Sequence, residues 1–496
     1  MTKRWLIGGL VLALASCAAP STDDTQTLQE TQEVSSASPL LVQPGSAQRL
    51  LAVTSDNYVL YQEGTEVFAS ALIPGAQRQP VATVPAGNVA FVYASGKVAF
   101  VWTNPDRTKP GFGVSPLWVW SAESGASFAS DASPIGTFST AASPDGRSIL
   151  YPTRASADGA SGDLELASAG LSWRTTMAAG IPMGFPFGFC RPWASFVGSG
   201  GSARPVALYC RPGESTATLS SWRGNTKTDL LSGVATPPFF TADKSGTSFF
   251  TTLASPSTAV VVSEGQAPIV VDQNVTRTGF ITEDGVVYVG IVGTQRPLKR
   301  FDPATGERTT LVENVRGLLT TLSGSDLMTR PWGSPNRKKL AYFTRASSGG
   351  LDQNWVEMSG ERQAVVVDAG PRNWGGVPSF TADSKQFLFA RPTDAVNGLG
   401  ALFAQDGTTS RQYSDEKAWN YLPATGSKVS YLDNFDLGTF TGDLRVVDLS
   451  RETLAPRHIA TGVDANFLAS PDGRLIIYTR NAPGVTAGVY VARAEP

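Results

Sequence analysis

A short turn motif that returns along the chain is the feature that most limits what this sequence can fold into. Residues 138–154 (FSTAASPDGRSILYPTR) and 466–480 (NFLASPDGRLIIYTR) each read as a strand, a Ser-Pro-Asp-Gly turn and a second strand. Proline presets the second turn position, and Asp and Gly accept the conformations that follow. An aromatic residue, Tyr151 or Tyr478, comes six positions after the turn Asp. The motif predicts a β-hairpin with an aromatic residue on its second strand.

Weaker copies of the motif are spread over the rest of the chain. Four of them keep the offset between turn and aromatic residue and lead to Phe250, Tyr342, Phe389 and Tyr431. Looser copies lie at 55–61, 94–100, 198–209 and 282–288. Successive turns are about 40 to 55 residues apart, which is the period of a propeller blade rather than of a helical solenoid. The 50 Gly and 33 Pro residues also suit many short strands joined by tight turns.

These patterns predict an all-β fold, a β-propeller of eight to ten four-stranded units over residues 39–496, without a long amphipathic helix. Ten units exceed the roughly four to eight blades that are usual. The sequence leaves three arrangements open. They are one unusually large ring, an eight-bladed ring whose repeats have been divided too finely, and two packed rings. The last unit lacks an evident fourth strand, and residues 39–48 could supply it and close the ring.

The repeats resemble the WD40-like Pro-Asp repeats of the TolB propeller and of the propellers in prolyl-oligopeptidase-type peptidases. The two SPDG segments match closely, and the rest of residues 40–496 matches loosely. By this resemblance we expect a propeller that binds a protein or peptide. The peptidases carry an α/β-hydrolase domain after their propeller, whereas this sequence ends on propeller-like strands, so we expect no such activity.

The first residues have the layout of a bacterial export signal. Lys3 and Arg4 precede an apolar run at 5–15, which is too short to span a bilayer. The segment Leu14-Ala15-Ser16-Cys17 resembles the lipobox of bacterial lipoproteins. The resemblance implies that residues 1–16 are a signal peptide and that acyl chains on Cys17 hold the mature protein to a membrane, at about 0.8 kcal/mol per buried methylene. An ordinary secretory signal that contains a cysteine is the alternative.

Residues 17–38 are expected to form the lipidated cysteine and a flexible tether, because residues 18–38 are polar, acidic and rich in Ser and Thr. Ala18 after the cysteine favours the outer membrane by analogy with enteric lipoproteins. We therefore expect a lipid-anchored protein of the bacterial cell envelope, facing the periplasm or the exterior. The formal net charge of −2 is spread without blocks, so neither nucleic acid nor an anionic membrane surface is an electrostatic partner.

Cys190 and Cys210 are the cysteines of the predicted propeller, and each is followed by Arg-Pro. Export makes oxidation possible, so we predict a disulfide between them, and two separate buried thiols are the alternative. Because the closed loop is short, the bond would stabilise the fold by about 3 kcal/mol.

Catalytic motifs are absent from the sequence. The one histidine, His458, offers no triad, and there is no G-x-S-x-G elbow, Walker loop or dinucleotide fingerprint. We predict no catalytic residue, no metal and no cofactor, and a surface or strand-end position for His458. Four oxygen-bearing residues could surround Ca²⁺, but their spacing does not match an EF-hand and favours an acidic hairpin loop. They are Asp433, Asn434, Asp436 and Asp443.

Two recurring residue types suggest a binding face. A basic residue stands two positions before a Trp ahead of the first strand in four units, at Trp193, Trp332, Trp374 and Trp419. An arginine follows the second-strand aromatic residue in five units, at Arg154, Arg211, Arg345, Arg391 and Arg480. In a blade, the loop before the first strand and the loop after the second lie on the same face. Both sets should ring one mouth of the channel, where Trp and Arg could bind a partner.

The alternative is that the tryptophans pack between blades and that the arginines are solvated strand ends. If the two sets lay on opposite faces, the binding hypothesis would fail. The preferred function is a non-enzymatic, membrane-anchored envelope lipoprotein whose propeller is an interaction or scaffold module for an envelope protein or peptide. A carbohydrate-binding propeller or a polysaccharide lyase-type enzyme is the second hypothesis, and a structural surface protein is the third. Fold alone does not decide between them.

Overall fold

The structure is a computed structural model in which every described element is a β-strand. The described residues are 39–45, 48–105, 115–132, 140–154, 161–182, 192–199, 203–236, 239–243, 245–255, 257–283, 285–315, 334–336, 338–345, 351–357, 365–370, 379–394, 399–407, 409–482 and 484–495. Within them lie 38 strands. No helix of these ranges is long and apolar enough to cross a membrane.

The first strand, β1 (Leu40–Pro44), belongs to the last blade, and the chain then builds four blades in order. Blade 1 is β2 (Gln48–Val53), β3 (Tyr58–Glu63), β4 (Glu66–Ala71) and β5 (Gln79–Thr83). Blade 2 is β6 (Phe91–Ser95), β7 (Val98–Trp102), β8 (Ser115–Ser121) and β9 (Gly125–Ala132). Blade 3 is β10 (Ala141–Ala142), β11 (Ser148–Arg154), β12 (Ser161–Ser168) and β13 (Arg174–Pro182). Blade 4 is β14 (Trp193–Val197), β15 (Arg204–Cys210), β16 (Ala217–Arg223) and β17 (Thr226–Val234).

The next four blades follow the same antiparallel order. Blade 5 is β18 (Thr241–Ala242), β19 (Ser248–Leu253), β20 (Thr258–Ser263) and β21 (Ile269–Gln273). Blade 6 is β22 (Val275–Thr282), β23 (Gly285–Gly290), β24 (Leu298–Phe301) and β25 (Arg308–Val312). The described strands of blade 7 are β26 (Lys339–Arg345), β27 (Leu351–Glu357) and β28 (Val365–Gly370). Blade 8 is β29 (Ser379–Phe380), β30 (Phe387–Asp394), β31 (Leu399–Asp406) and β32 (Thr409–Gln412).

The last two blades share one long strand. Blade 9 is β33 (Tyr421–Pro423), β34 (Lys428–Asp436), β35 (Thr441–Asp448) and the first part of β36 (Arg457–Ala469). The second part of β36 opens blade 10 and pairs with β37 (Leu475–Arg480), which pairs with β38 (Gly488–Arg493). The fourth strand of blade 10 is β1, which pairs antiparallel with β38, as the sequence predicts.

Buried side chains join the blades in a continuous circuit. Ten apolar clusters each connect two consecutive blades. One of them joins the last blade to the first, since Val42 and Ile477 pack with Leu50 and Tyr61. This circuit of ten blades favours a single closed ring over two packed rings.

The Ser-Pro-Asp-Gly turns are held by their own polar side chains. Ser143 Oγ donates to Asp145 Oδ1 at 2.5 Å, and the Arg147 amide donates to the same oxygen at 3.1 Å. Ser143 Oγ also accepts from the Ser148 amide at 2.9 Å. Gly146 has a φ of +74°, a left-handed conformation that favours glycine. This chemistry explains why the motif joins the first and second strands of a blade.

The second-strand aromatic residues are buried, and eight of them face the preceding blade. These eight are Tyr61, Tyr151, Tyr209, Tyr288, Tyr342, Phe389, Tyr431 and Tyr478. Phe100 and Phe250 instead contribute to the core with the following blade. They stand one position out of step with the others, and a shift of one residue moves a side chain to the opposite face of a sheet.

A β-bulge recurs between the third and fourth strands. In eight blades one residue of the fourth strand is skipped in the pairing, and its side chain packs toward the following blade. These residues are Val42, Val81, Ala129, Met177, Leu230, Val271, Leu311 and Ile459. Bulges re-aim side chains and increase local twist. Here they place an apolar side chain in the interface with the next blade.

Candidate binding face and interblade cavity

The strand register places the described members of the predicted tryptophan and arginine sets at one end of the propeller. Trp193 begins β14 and pairs with Leu208, near the end of β15, and Arg211 follows that strand directly. In blade 9 the Trp419 amide donates to the carbonyl of Leu432, in the middle of β34, and the second half of that strand continues toward the same end. We call this end the mouth face. It is where first strands begin and second strands end.

The two described tryptophans pack between blades. Trp193 contacts the clusters on both sides of blade 5, and its ring lies 5.5 Å from that of Phe239 in an edge-on arrangement. Trp419 stacks on Phe435, with centroids 4.8 Å apart and rings 11° from parallel. Both are half-buried, so each combines an interblade contact with a surface at the mouth face.

The three arginines whose side chains are described are held by different contacts. Arg211 Nη2 lies 2.5 Å from Asp229 Oδ2 in an exposed ion pair. The Arg391 guanidinium lies 4.3 Å from the Phe403 ring centroid. Arg480 Nε donates to the Thr461 carbonyl at 3.1 Å. These contacts orient the side chains at the mouth face.

Several predicted residues lie outside the described part of the chain. They are Cys17, Cys190, Trp332 and Trp374. Arg154 and Arg345 end β11 and β26, but only their backbones are described, and each stands one position beyond the place that Arg211, Arg391 and Arg480 hold in their blades. Cys210 ends β15 and is buried. Its pairing with Cys190 stays a prediction.

The acidic segment of blade 9 forms a hairpin that rises at the mouth face, which is the interpretation that its spacing favours. Asn434 Nδ2 donates to Asp443 Oδ2 at 2.9 Å, and Asp436 Oδ1 accepts from the Gly438 amide at 2.8 Å. Phe440 in this hairpin is 53% exposed and meets Phe435 edge-on at 6.3 Å. The aromatic row Trp419–Phe435–Phe440 therefore runs from the blade interior to the surface.

Asp433 has an unusual carboxyl group at the base of this hairpin. Burial and the neighbouring Asp415 carboxylate raise the pKa of Asp433 to about 7, although Arg445 acts in the opposite direction. Such a shift is common at acid–base sites. Here, however, the side chain is 9% exposed, and its oxygens meet Arg445 Nε at 3.1 Å and the Asp415 amide at 3.4 Å. The carboxyl oxygens of Asp433 therefore form structural contacts.

A cavity of about 580 Å³ lies between blades 2 and 3, and none of the tryptophans and arginines singled out in the sequence is among its described lining residues. Its walls include Phe128 and Asp131 of β9, Thr153 of β11, Glu165 of β12, and Arg174 and Thr176 of β13. None of these residues stands out in the linear sequence. Aligning the blades by strand register would have revealed Glu165, which is the acidic residue among the ten third-strand residues that pair with Tyr151 and its equivalents in the second strands.

The described ranges contain no group of three His, Cys, Asp or Glu side chains that could hold a metal ion. His458 is exposed near the start of β36, where it pairs with Arg445, so it is the surface strand residue that the sequence predicts.

The closed circuit of small antiparallel blades defines a β-propeller protein. No protein-family model matches the chain, and no curated protein matches it significantly. Its structure is similar to that of a eukaryotic initiation factor at 14% identity, covering 77% of this chain and 92% of the other with a TM-score of 0.43. An oligogalacturonate lyase in complex with manganese matches at 11% identity, over 91% and 98% of the two chains, with a TM-score of 0.34.

TolB from Acinetobacter baumannii matches at 12% identity, over 62% of this chain and 78% of that one, with a TM-score of 0.25. At these identities the similarity concerns the fold alone.

Proposed function

We propose that this chain is a non-enzymatic lipoprotein of the bacterial cell envelope and that its propeller binds a protein or peptide through the mouth face. Acyl chains on Cys17 would anchor it to the outer membrane, and residues 18–38 would hold the propeller away from the lipid. The observation that carries the proposal is the aromatic row Trp419–Phe435–Phe440, which reaches the surface at the end of the propeller that also bears Arg211, Arg391 and Arg480.

Aromatic rings and arginines are the residue types in which binding energy is concentrated at interfaces. Phe440 would supply a large apolar contact, and Arg211 can exchange its exposed partner Asp229 for a carboxylate of the partner, because exposed ion pairs contribute only about 0–1 kcal/mol. The rings beneath Phe440 and Arg391 are already ordered by packing, so less side-chain entropy is lost on binding.

The opposite end of the propeller supplies a matched control. Trp173, in the turn between β12 and β13, is 47% exposed, close to the value for Phe440, but it lies at the other end of a blade. A photo-crosslinking amino acid at position 440 should capture a specific envelope protein in cells, and the same group at position 173 should not. Phe440→Asp and Arg211→Glu should reduce capture by a crosslinker at position 437, while Trp173→Asp should leave it unchanged. Equal capture from both ends would refute a binding function of the mouth face.

Lipid attachment needs its own test. Metabolic labelling with a palmitate analogue should mark the wild-type protein and not a Cys17→Ala variant that carries a standard secretory signal, and that variant should move from the membrane fraction to the soluble fraction. A labelled Cys17→Ala protein, or an unlabelled wild type, would contradict the anchor.

The disulfide is tested separately from the anchor. In the Cys17→Ala protein unfolded without reductant, a maleimide polymer should leave Cys190 and Cys210 unmodified and should modify both after reduction. Modification without reductant would indicate two separate thiols.

A further inference from the structure

The interblade cavity between blades 2 and 3 arises from two departures from the blade repeat. The first is Ala129, the bulge residue of blade 2. In the other seven blades with this bulge, the same position holds Val, Met, Leu or Ile, which packs against the next blade. A methyl group at position 129 leaves this space open, and the cavity lies against it.

The second departure is Glu165, which faces the cavity from the opposite wall. Its equivalents in the other blades are neutral or basic, and they include Phe68, Phe403 and Tyr490. Glu165 is 7% exposed, and its Oε1 accepts a hydrogen bond from Thr176 Oγ1 at 2.8 Å. A carboxylate at this depth is costly unless it is hydrogen-bonded. Thr176 uses only part of the acceptor capacity of the carboxylate, so beside an open space Glu165 can accept further hydrogen bonds from a polar ligand.

Neighbouring groups provide further donors and acceptors. Arg174 and Asp131 are exposed at the cavity, and Thr153 is half-buried in its wall. Phe128 is 52% exposed, and its ring is held edge-on against Trp118 with centroids 5.7 Å apart. The cavity therefore combines a fixed aromatic surface with carboxylates, hydroxyls and one guanidinium.

This combination selects among ligand classes. Two carboxylates, Asp131 and Glu165, disfavour an anion, and Arg174 disfavours a cation. The polar walls disfavour an apolar ligand, whose burial would desolvate them without new hydrogen bonds. A neutral sugar ring can form a favourable contact with each wall of the cavity. Its hydroxyls can donate to the carboxylates and accept from Arg174, and its C–H face can lie on Phe128. The volume of about 580 Å³ lies within the usual range of about 300–1,000 Å³ for small-ligand sites.

We propose that the cavity between blades 2 and 3 is a binding site for a neutral pyranose. The site is built on β9, β11, β12 and β13, and its described lining includes none of the mouth-face residues Trp419, Phe440, Arg211, Arg391 and Arg480, so it is independent of the protein-binding function proposed above. The sugar could be a free monosaccharide or the terminal residue of a glycan, since both present the same ring.

Saturation-transfer NMR and isothermal titration of the Cys17→Ala full-length protein provide the test. The probes are D-glucose, D-galactose, D-mannose and N-acetyl-D-glucosamine, and at least one should bind. Ala129→Leu, which fills the space as in the other blades, should weaken that binding at least about tenfold, and Glu165→Gln should do so by a similar factor. Binding of the methyl glycoside would indicate a glycan terminus, whereas binding of the free sugar alone would indicate a soluble sugar.

Ile459→Leu is the matched control, because it changes the bulge residue of blade 9 to the same side chain without altering the cavity, and it should leave sugar binding unchanged. Thermal unfolding establishes that each variant is folded. If Ala129→Leu does not fold, Glu165→Gln alone still tests the proposal. The proposal is overturned if the wild type binds none of the four sugars, or if both cavity variants bind as the wild type does. Mouth-face crosslinking in Ala129→Leu should be normal, so that failure of one proposal is distinguishable from failure of the other.

Discussion

The interfaces between blades 2 and 3 and between blades 5 and 6 share one pairing of side chains but differ in the residues that the preceding blade places against it. In each, the second-strand tyrosine of the later blade pairs with a charged residue of the third strand, Glu165 beside Tyr151 and Lys299 beside Tyr288. Between blades 5 and 6, Asp272 of the preceding blade accepts from Lys299 Nζ at 3.1 Å and from the Tyr288 hydroxyl at 2.8 Å. The charge is paired, and Val271 beside it is fully buried.

Between blades 2 and 3 the corresponding residues are smaller. Ala129 replaces Val271 at the bulge, and Ser130 replaces Asp272 at the next position. Ser130 Oγ donates to the Pro152 carbonyl at 3.1 Å instead of reaching the charged residue. A charged residue within a blade interface is therefore structural where the preceding blade supplies a counter-charge. Where the preceding blade supplies small residues, the same position opens onto a cavity and can serve a ligand.

The largest expected difference between the two interfaces concerns the charged pair. Asp272→Ala removes the partner of both Lys299 and the Tyr288 hydroxyl, so we expect it to lower the free energy of unfolding by about 3 kcal/mol. Glu165→Gln should cost less than about 1 kcal/mol, because Glu165 forms no ion pair with the described residues, and Asp272→Asn is the matched change in the interface of blades 5 and 6. Urea unfolding at neutral pH measures both. Equal losses would mean that Glu165 is as structural as Asp272.

Substitutions of the bulge residues should change the free energy of unfolding by less, and in opposite directions at the two interfaces. Val271→Ala should lower the free energy of unfolding by about 2 kcal/mol, because it removes buried methyl groups and leaves a cavity. Ala129→Val should raise it by about 0.5–2 kcal/mol, because it fills existing space. The midpoints of urea unfolding measure both changes. A loss of stability in Ala129→Val would show that the interface of blades 2 and 3 is already closely packed.

Much of the fold follows from residues that are visible in the sequence. The turn motif and its aromatic residue locate the second strand of every blade, and the missing last strand predicts the pairing of β1 with β38. The offset fails at Phe100 and Phe250 because those turns differ from the Ser-Pro-Asp-Gly turn. In blade 5, Asp243 occupies the place of Ser143, so the residue equivalent to Tyr151 is Thr251 rather than Phe250.

The cavity could not be predicted in the same way. Ala129 stands in an ordinary run of small residues, and only the strand register reveals that it is skipped in the pairing and directed at blade 3. Glu165 alternates with apolar residues as any exposed strand residue would, although the approach of blade 2 buries it. The mouth face could be predicted in part from the sequence. Blade geometry predicts that Trp193 and Arg211 share one end, but the packing of Trp193 on Phe239 depends on the neighbouring blade.

The smallest expected effect concerns a third interface with a charged residue at this position, that between blades 8 and 9. There Arg445 is the residue beside Tyr431, and the carboxyl group of Asp433, in the same blade, lies 3.1 Å from Arg445 Nε. The pKa of Asp433 is raised to about 7 by burial and by Asp415, above the ordinary value of 3.8. Folding therefore favours the protonated carboxyl, so its contribution to stability is full below about pH 4 and is lost as pH rises through about 7.

Asp433→Asn mimics the protonated carboxyl at every pH and should remove this dependence. Between pH 5 and pH 8 the wild type should lose on the order of 1 kcal/mol of unfolding free energy relative to the variant. Asp272 has the opposite pH dependence. Burial raises its pKa, but the hydrogen bonds from the Tyr288 hydroxyl and Lys299 lower the pKa by more, so the net pKa is lowered. The contribution of Asp272 to stability is therefore lost only as pH falls below about 4. Urea unfolding of the wild type, Asp433→Asn and Asp272→Asn at pH 5 and pH 8 measures the difference. If Asp433→Asn and the wild type change in parallel, the carboxyl of Asp433 is ionised in the folded protein throughout this range, and the blade 8–9 interface is an ion pair like that between blades 5 and 6.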